Sequence, residues 1–227
     1  MKNIIAIAAL TGAATLSGFA QGEIEFQNST AAKISVNSVI GGAATSTTAA
    51  GAGQYYYALF NSVTSPTVNS SSAAVIPTAI GVPGAYAFSD TGWTFDASGA
   101  STSKTGIFSS TTLDTAGFTQ IPGEPASSYF VVVGWSANIG STVQSVKTWL
   151  AGGDGALAGF IGQSTVSGFF PTGTAGTGNA PQILFGQTPP AIAGFTLGTY
   201  TPTPEPGSVA LGVMGGLSLL ALRRKKA

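Results

Sequence analysis

SYFVVVGW (128–135) is almost wholly apolar or aromatic and holds three consecutive valines. A run of this kind reads as a central β-strand. QYYYALF (54–60) has the same character and reads the same way. Working outward, EIEFQN (23–28) alternates Ile24 and Phe26 with polar neighbours. KISVNSV (33–39) alternates Ile34 and Val36 with Lys33, Ser35 and Asn37. A period of two indicates half-buried antiparallel strands. GWTFDA (92–97), GFIGQS (159–164), QILF (182–185) and GFTL (194–197) are shorter candidates, set apart by Gly, Pro, Ser and Asn clusters. Together they predict a mainly β fold, an antiparallel β-sandwich of jelly-roll-like or Ig-like type.

One segment departs from that pattern. In ANIGSTVQSVKTWLAGG (137–153), Ile139, Val143, Val146, Trp149 and Leu150 fall at i, i+4, i+7, i+10 and i+11, one face of a helix. Ser141 or Thr142 supplies a start cap and Gly152–Gly153 an end. The expectation is one short helix near 141–150, packed across an end or face of the sandwich. Residues 36–54, 65–84 and 170–181 read as low-complexity loops. From Thr188 onward, Pro189, Pro190, Pro202, Pro204 and Pro206 suggest a linker, with AGFTL (193–197) as a last strand.

Composition limits the chemistry. The chain has no Cys and no His. That removes disulfides, the usual zinc and copper sites, and nucleophiles activated by His. No metal and no cofactor is expected. Residues 21–201 carry three cations, Lys33, Lys104 and Lys147, against seven acids, a net charge of −4. Such a surface is unsuited to nucleic acid, which requires a Lys/Arg stripe. Low charge here does not mean disorder, because the same residues include 21 aromatics, enough for one sizeable core. Ser and Thr make up 47 of those 181 positions, so hydroxyls supply the polarity and favour strands and turns.

The two ends read as addresses. At the N-terminus, Lys2 precedes the apolar run Ile4 to Leu10, and Gly18 and Ala20 place small residues before a cut between Ala20 and Gln21. This is the layout of a secretory signal over 1–20, removed by signal peptidase. At the C-terminus, Ser208 to Leu222 is uncharged and is followed by Arg223, Arg224, Lys225 and Lys226. As a helix the apolar stretch spans about 22 Å against ~30 Å of hydrocarbon, so it inserts marginally while the cations stop at the cytoplasmic headgroups. Pro204-Glu205-Pro206, then the Gly-rich apolar segment, then RRKK, resembles the PEP-CTERM sorting signal of bacterial exported proteins. The resemblance is confined mainly to residues 203–227. It implies that Pro204, Glu205 and Pro206 are recognised by an exosortase, a membrane-embedded cysteine transpeptidase, and that Arg223 to Lys226 are the membrane stop. It also implies a cell-surface or extracellular destination in an exopolysaccharide-making, biofilm-forming bacterium. YYYALF, GWTF and VVVGWSANIGSTVQSVKTWLAGG are similar to secreted bacterial proteins with the same tail, a likeness that carries no activity. The expected organisation is signal peptide 1–20, sandwich body 21–187, Pro-rich linker 188–203 and sorting signal 204–227.

Within the body, Asp90 and Asp96 flank Trp93. Glycosidases use two facing carboxylates, but six residues along a strand would hold these too far apart, so they read as turn and strand-end residues. Asp154 in GGDG reads as a turn, since no EF-hand loop accompanies it. Tyr55, Tyr57 and Trp93 are candidates for sugar stacking, with burial in the core as the competing role. Asn28-Ser29-Thr30 and Asn69-Ser70-Ser71 match the glycosylation triplet by chance. Three functions follow in order of expectation: a non-enzymatic surface or matrix protein, a carbohydrate-binding β-sandwich acting on exopolysaccharide, and a carboxylate-based hydrolase.

Overall fold

The computed structural model describes residues 22–37, 46–48, 51–76, 85–111, 119–121, 127–153, 157–174, 182–185 and 192–202. The signal segment, the Ala20–Gln21 cleavage site, Asp154, the Pro204-Glu205-Pro206 triplet, the apolar segment and the basic tail lie outside the described residues. Among the described residues no helix is long and apolar enough to cross a membrane.

The chain is mainly β. Its strands are β1 Gly22–Glu25, β2 Ser35–Asn37, β3 Ser46–Thr47, β4 Tyr55–Ser62, β5 Thr94–Ser101, β6 Phe108–Ser110 and β7 Thr119–Ile121. They continue with β8 Ser127–Ser136, β9 Gly159–Gln163, β10 Phe170–Pro171, β11 Gly173–Thr174, β12 Gln182–Ile183 and β13 Thr196–Tyr200. Among the described residues the α-helix is α1, Val143–Leu150. A curled sheet runs in the order β3-β2-β13-β9-β8-β4-β5-β6, with β10 pairing to β8. A smaller sheet joins β1 to β11, β12 and β7.

The longest strand, β8, and β4 are neighbours at the centre, Tyr55 opposite Ser136 and Ser62 opposite Tyr129. Their unbroken apolar character has a direct cause: the sheet is covered on both faces. Tyr57, Leu59, Phe130 and Val132 point into one core with Ile24, Phe26 and Phe108. Ala58, Phe60, Val131 and Val133 point into a second with Val146, Trp149 and Trp93. Burial of each such large apolar side chain contributes about 1.5–3 kcal/mol, which favours apolar residues on both faces. The buried polar residues Asn61, Ser62, Ser128 and Ser136 lie toward the strand ends.

The sheets are mixed, where wholly antiparallel pairing was expected. β13 runs parallel to β2, and β12 parallel to β1. β13 also sits between β2 and β9, so the last strand expected at AGFTL, inside the segment expected to be linker from 188, forms and is an interior strand. Phe195, Leu197 and Tyr200 are buried there. The prolines flank this strand without interrupting it, and alternation in FTLGTY satisfies the sheet. Close approach at β9 depends on Gly162, where an added Cβ would lie 2.3 Å from the Thr196 carbonyl oxygen. Short strands β3, β10 and β11 lie in segments expected to be loops. Two-residue pairings, ST in β3, FP in β10 and GT in β11, are too short to show a hydrophobic period.

α1 forms where its periodicity places it. Thr142 Oγ1 accepts the Ser145 N–H at 3.1 Å, and Gly152 takes a left-handed φ of 77° just past the end. Val146, Trp149 and Leu150 are its buried face.

A buried asparagine locks the entry to β6. Asn28 Nδ2 donates to the carbonyls of Ala32 at 2.9 Å and Gly106 at 2.7 Å, while Oδ1 accepts from the Phe108 N–H at 2.7 Å. Asn28→Ala removes three side-chain hydrogen bonds to buried backbone groups, of which the Gly106 carbonyl keeps the Ile34 N–H as a partner. The expected loss is about 2–4 kcal/mol, read from the shift of the urea midpoint. A loss under about 0.5 kcal/mol, the size of an ordinary surface change, would contradict this role.

Candidate functional site

A groove of about 540 Å³ opens between β5 and the start of α1. Phe60, Phe88, Trp93 and Phe95 form its aromatic side, and Ser98, Ser141, Thr142, Gln144 and Lys147 its polar side. Each wall has a structural origin. Phe88 sits on the short 3₁₀ turn Ala87–Ser89, held to β9 because Gln163 Oε1 accepts the Ala87 N–H at 2.7 Å. Trp93 forms the base, its indole N–H donating to the Thr67 carbonyl at 2.9 Å. Lys147 stands on α1 with its ammonium 5.9 Å from the centroid of the Phe88 ring, within range for a cation–π contact.

Phe95 owes its position to a bulge. Leu59 pairs with Ala97 and Phe60 with Phe95, so Asp96 is the extra residue on β5. Bulges redirect side chains, and here Phe95 remains 46% exposed, edge-on to Phe60 at 5.8 Å. The bulged Asp96 has both carboxylate oxygens buried with no hydrogen-bond partner among the described residues. Burial alone pushes its pKa up to about 8.

The stacking candidates identified from sequence do not form one platform. Tyr57 is fully buried and stacks on Phe108 at 4.3 Å, and burial raises its hydroxyl pKa. Tyr55 shares that core at 9% exposure and borders a second groove of about 440 Å³ beside Asn138 and Phe160. Trp93, at 7% exposure, belongs to the core on the other sheet face. Strand alternation places Tyr55 and Tyr57 together, and the tertiary structure then buries both. The most exposed ring of the groove is Phe95, two residues beyond Trp93 in GWTFD. Its sequence signal is the aromatic at alternate spacing from Trp93, but only the bulge turns it toward the groove.

The acids take separate roles. Asp90 Oδ2 accepts from the Asn69 N–H at 2.7 Å and Oδ1 from the Gly92 N–H at 2.8 Å, a turn-closing arrangement. Neither Asp90 nor Asp96 lines the groove. Among the described residues no three acidic side chains gather to hold a metal ion. The groove can therefore stack an apolar ring face, donate and accept hydrogen bonds, and meet a negative charge. No protein-family model, curated protein or solved structure matches the chain.

Proposed function

We propose that this chain is an exported bacterial surface or extracellular-matrix protein, non-enzymatic, sorted by a C-terminal PEP-type signal that an exosortase processes. The observation that carries this reading is the order of features at the C-terminus: Pro204-Glu205-Pro206, the uncharged stretch from Ser208 to Leu222, then four cations, opposite an N-terminal signal. Signal peptidase cuts between Ala20 and Gln21. The tail then stops in the inner membrane through Arg223, Arg224, Lys225 and Lys226, because each Lys or Arg disfavours the bilayer centre by about 2.5–3.5 kcal/mol on insertion scales. The described body reaches Pro202, two residues before the triplet, so the processing enzyme meets its signal close to the folded domain. A β-sandwich reading of the body is supported by Ile24 and Phe26, which bring the β1 region onto one face of the large sheet.

Two changes separate stopping from processing. Glu205→Ala is expected to accumulate a membrane-bound precursor. Replacement of Arg223 to Lys226 by Ser is expected to release unprocessed protein. Fractionation and mass measurement of the exported chain read both, and a Glu205→Ala protein trimmed and delivered like the wild type refutes the sorting role of the triplet.

A second reading, a carbohydrate-binding body acting on exopolysaccharide, is favoured by one observation: an exposed Phe95 above a groove edged with hydroxyl and amide side chains. Aromatic faces and such groups together suit sugar rings.

A further inference from the structure

The groove at β5 and α1 is polarised in one sense. Its lining contains Lys147 and no acid. Lys147 is exposed, and among the described residues it makes no ion pair. Residues 21–201 are net acidic with only three cations, so an unpaired Lys in a groove is a local reversal of the surface potential. The N-terminal turn of α1 faces the same space through Ser141, Thr142 and Gln144, and the positive end of the helix dipole adds to the Lys147 field. The same lining holds the exposed Phe95 ring and the Ser98 hydroxyl. A ring platform bordered by hydroxyls matches a pyranose. A cation with no acid in the groove lining matches a carboxylate carried on that pyranose. A long-chain fatty acid fits less well, because half the lining is polar.

We propose that this groove binds an acidic, uronate-bearing polysaccharide, one sugar ring stacking on Phe95 and its carboxylate meeting Lys147. The proposal rests on the carbohydrate-binding reading and narrows it to a ligand class. Neutral glycans keep the stacking but lose the ion pair. The ion pair is exposed, so the contribution of Lys147 falls with added salt.

The test titrates the full chain, in mild detergent, with polygalacturonate, with neutral dextran of matched length and with polyglutamate, following Trp fluorescence at low salt. Trp93 lines the groove while Trp135 and Trp149 do not, so the ligand-dependent change is expected from Trp93 and to be absent in Trp93→Phe. Polygalacturonate is expected to bind at least about tenfold more tightly than dextran or polyglutamate. Lys147→Gln is expected to reduce polygalacturonate to the dextran level, and Phe95→Ala to weaken both glycans by about tenfold or more. Lys104→Gln, an exposed cation outside the groove, is expected to change nothing. Thermal melting checks that each variant is folded, which the exposure of Phe95 and Lys147 favours. Dextran bound as tightly as polygalacturonate, with Phe95→Ala weakening both, overturns the acidic specificity and leaves the carbohydrate reading standing. Binding of neither glycan overturns both. Polyglutamate bound as tightly as polygalacturonate, or a loss in Lys104→Gln equal to that in Lys147→Gln, shows a response to charge alone and overturns the site.

Discussion

Raising the pH from 5 to 8 is expected to destabilise this protein, and Asp96→Asn is expected to abolish that dependence. Burial lifts the Asp96 carboxyl from 3.8 to about 8 in the folded chain. Between those values the folded state holds a proton that the unfolded state has released. Stability therefore falls as pH rises through this window, and is flat again above about 8. A shift of this size corresponds to a ceiling on the order of 5 kcal/mol. The window is otherwise quiet, since the chain has no His and no Cys and ordinary carboxylates titrate below it. Asn is isosteric with the neutral acid and cannot ionise. Urea denaturation at pH 5 and pH 8 measures the effect: wild type should lose several kcal/mol and Asp96→Asn should hold level. A wild-type profile flat across that range, or a slope that survives in Asp96→Asn, would show that the Asp96 carboxyl ionises normally.

Trp149→Ala is expected to cost about 3–5 kcal/mol, the range for removing a large buried ring. Trp149 is fully buried, meets Tyr200 edge-on at 5.4 Å, and donates its indole N–H to the Leu157 carbonyl at 2.8 Å. It is the anchor that ties α1 to the last strand of the large sheet. Its loss leaves a cavity and removes the hydrogen bond to the Leu157 carbonyl together, and it loosens the helix that carries Lys147. Chemical denaturation gives the magnitude, and Trp149→Phe should recover most of it because the ring contact with Tyr200 remains. A loss below about 1 kcal/mol for the alanine variant would mean that α1 is held chiefly by Val146 and Leu150.

Local patterns were legible wherever a residue's neighbours in sequence are also its neighbours in the element. The helix is the plainest case. Five apolar residues on one face, a Thr at the start and glycines at the end specify α1 through contacts within a few residues of each other. The two long apolar runs likewise marked the centre of the sheet, because strands covered on both faces favour apolar side chains at every position away from their ends. In the groove, Trp93 alone among the lining residues was singled out as a binding candidate from sequence.

What only the tertiary structure decided depends on partners far apart in the chain. Nothing within FTLGTY indicates that β13 slots between β2 and β9, parallel to one and antiparallel to the other, since direction is free when no short turn links the strands. Burial of Tyr55 and Tyr57 follows from Phe108 and the β1 region covering that face, and period two gives the face but not its cover. The bulge that exposes Phe95 and buries Asp96 is a property of the β4–β5 register. A one-residue slip changes which face a side chain takes, and register is set by the pairing of two strands, a quantity that neither strand's own residues contain.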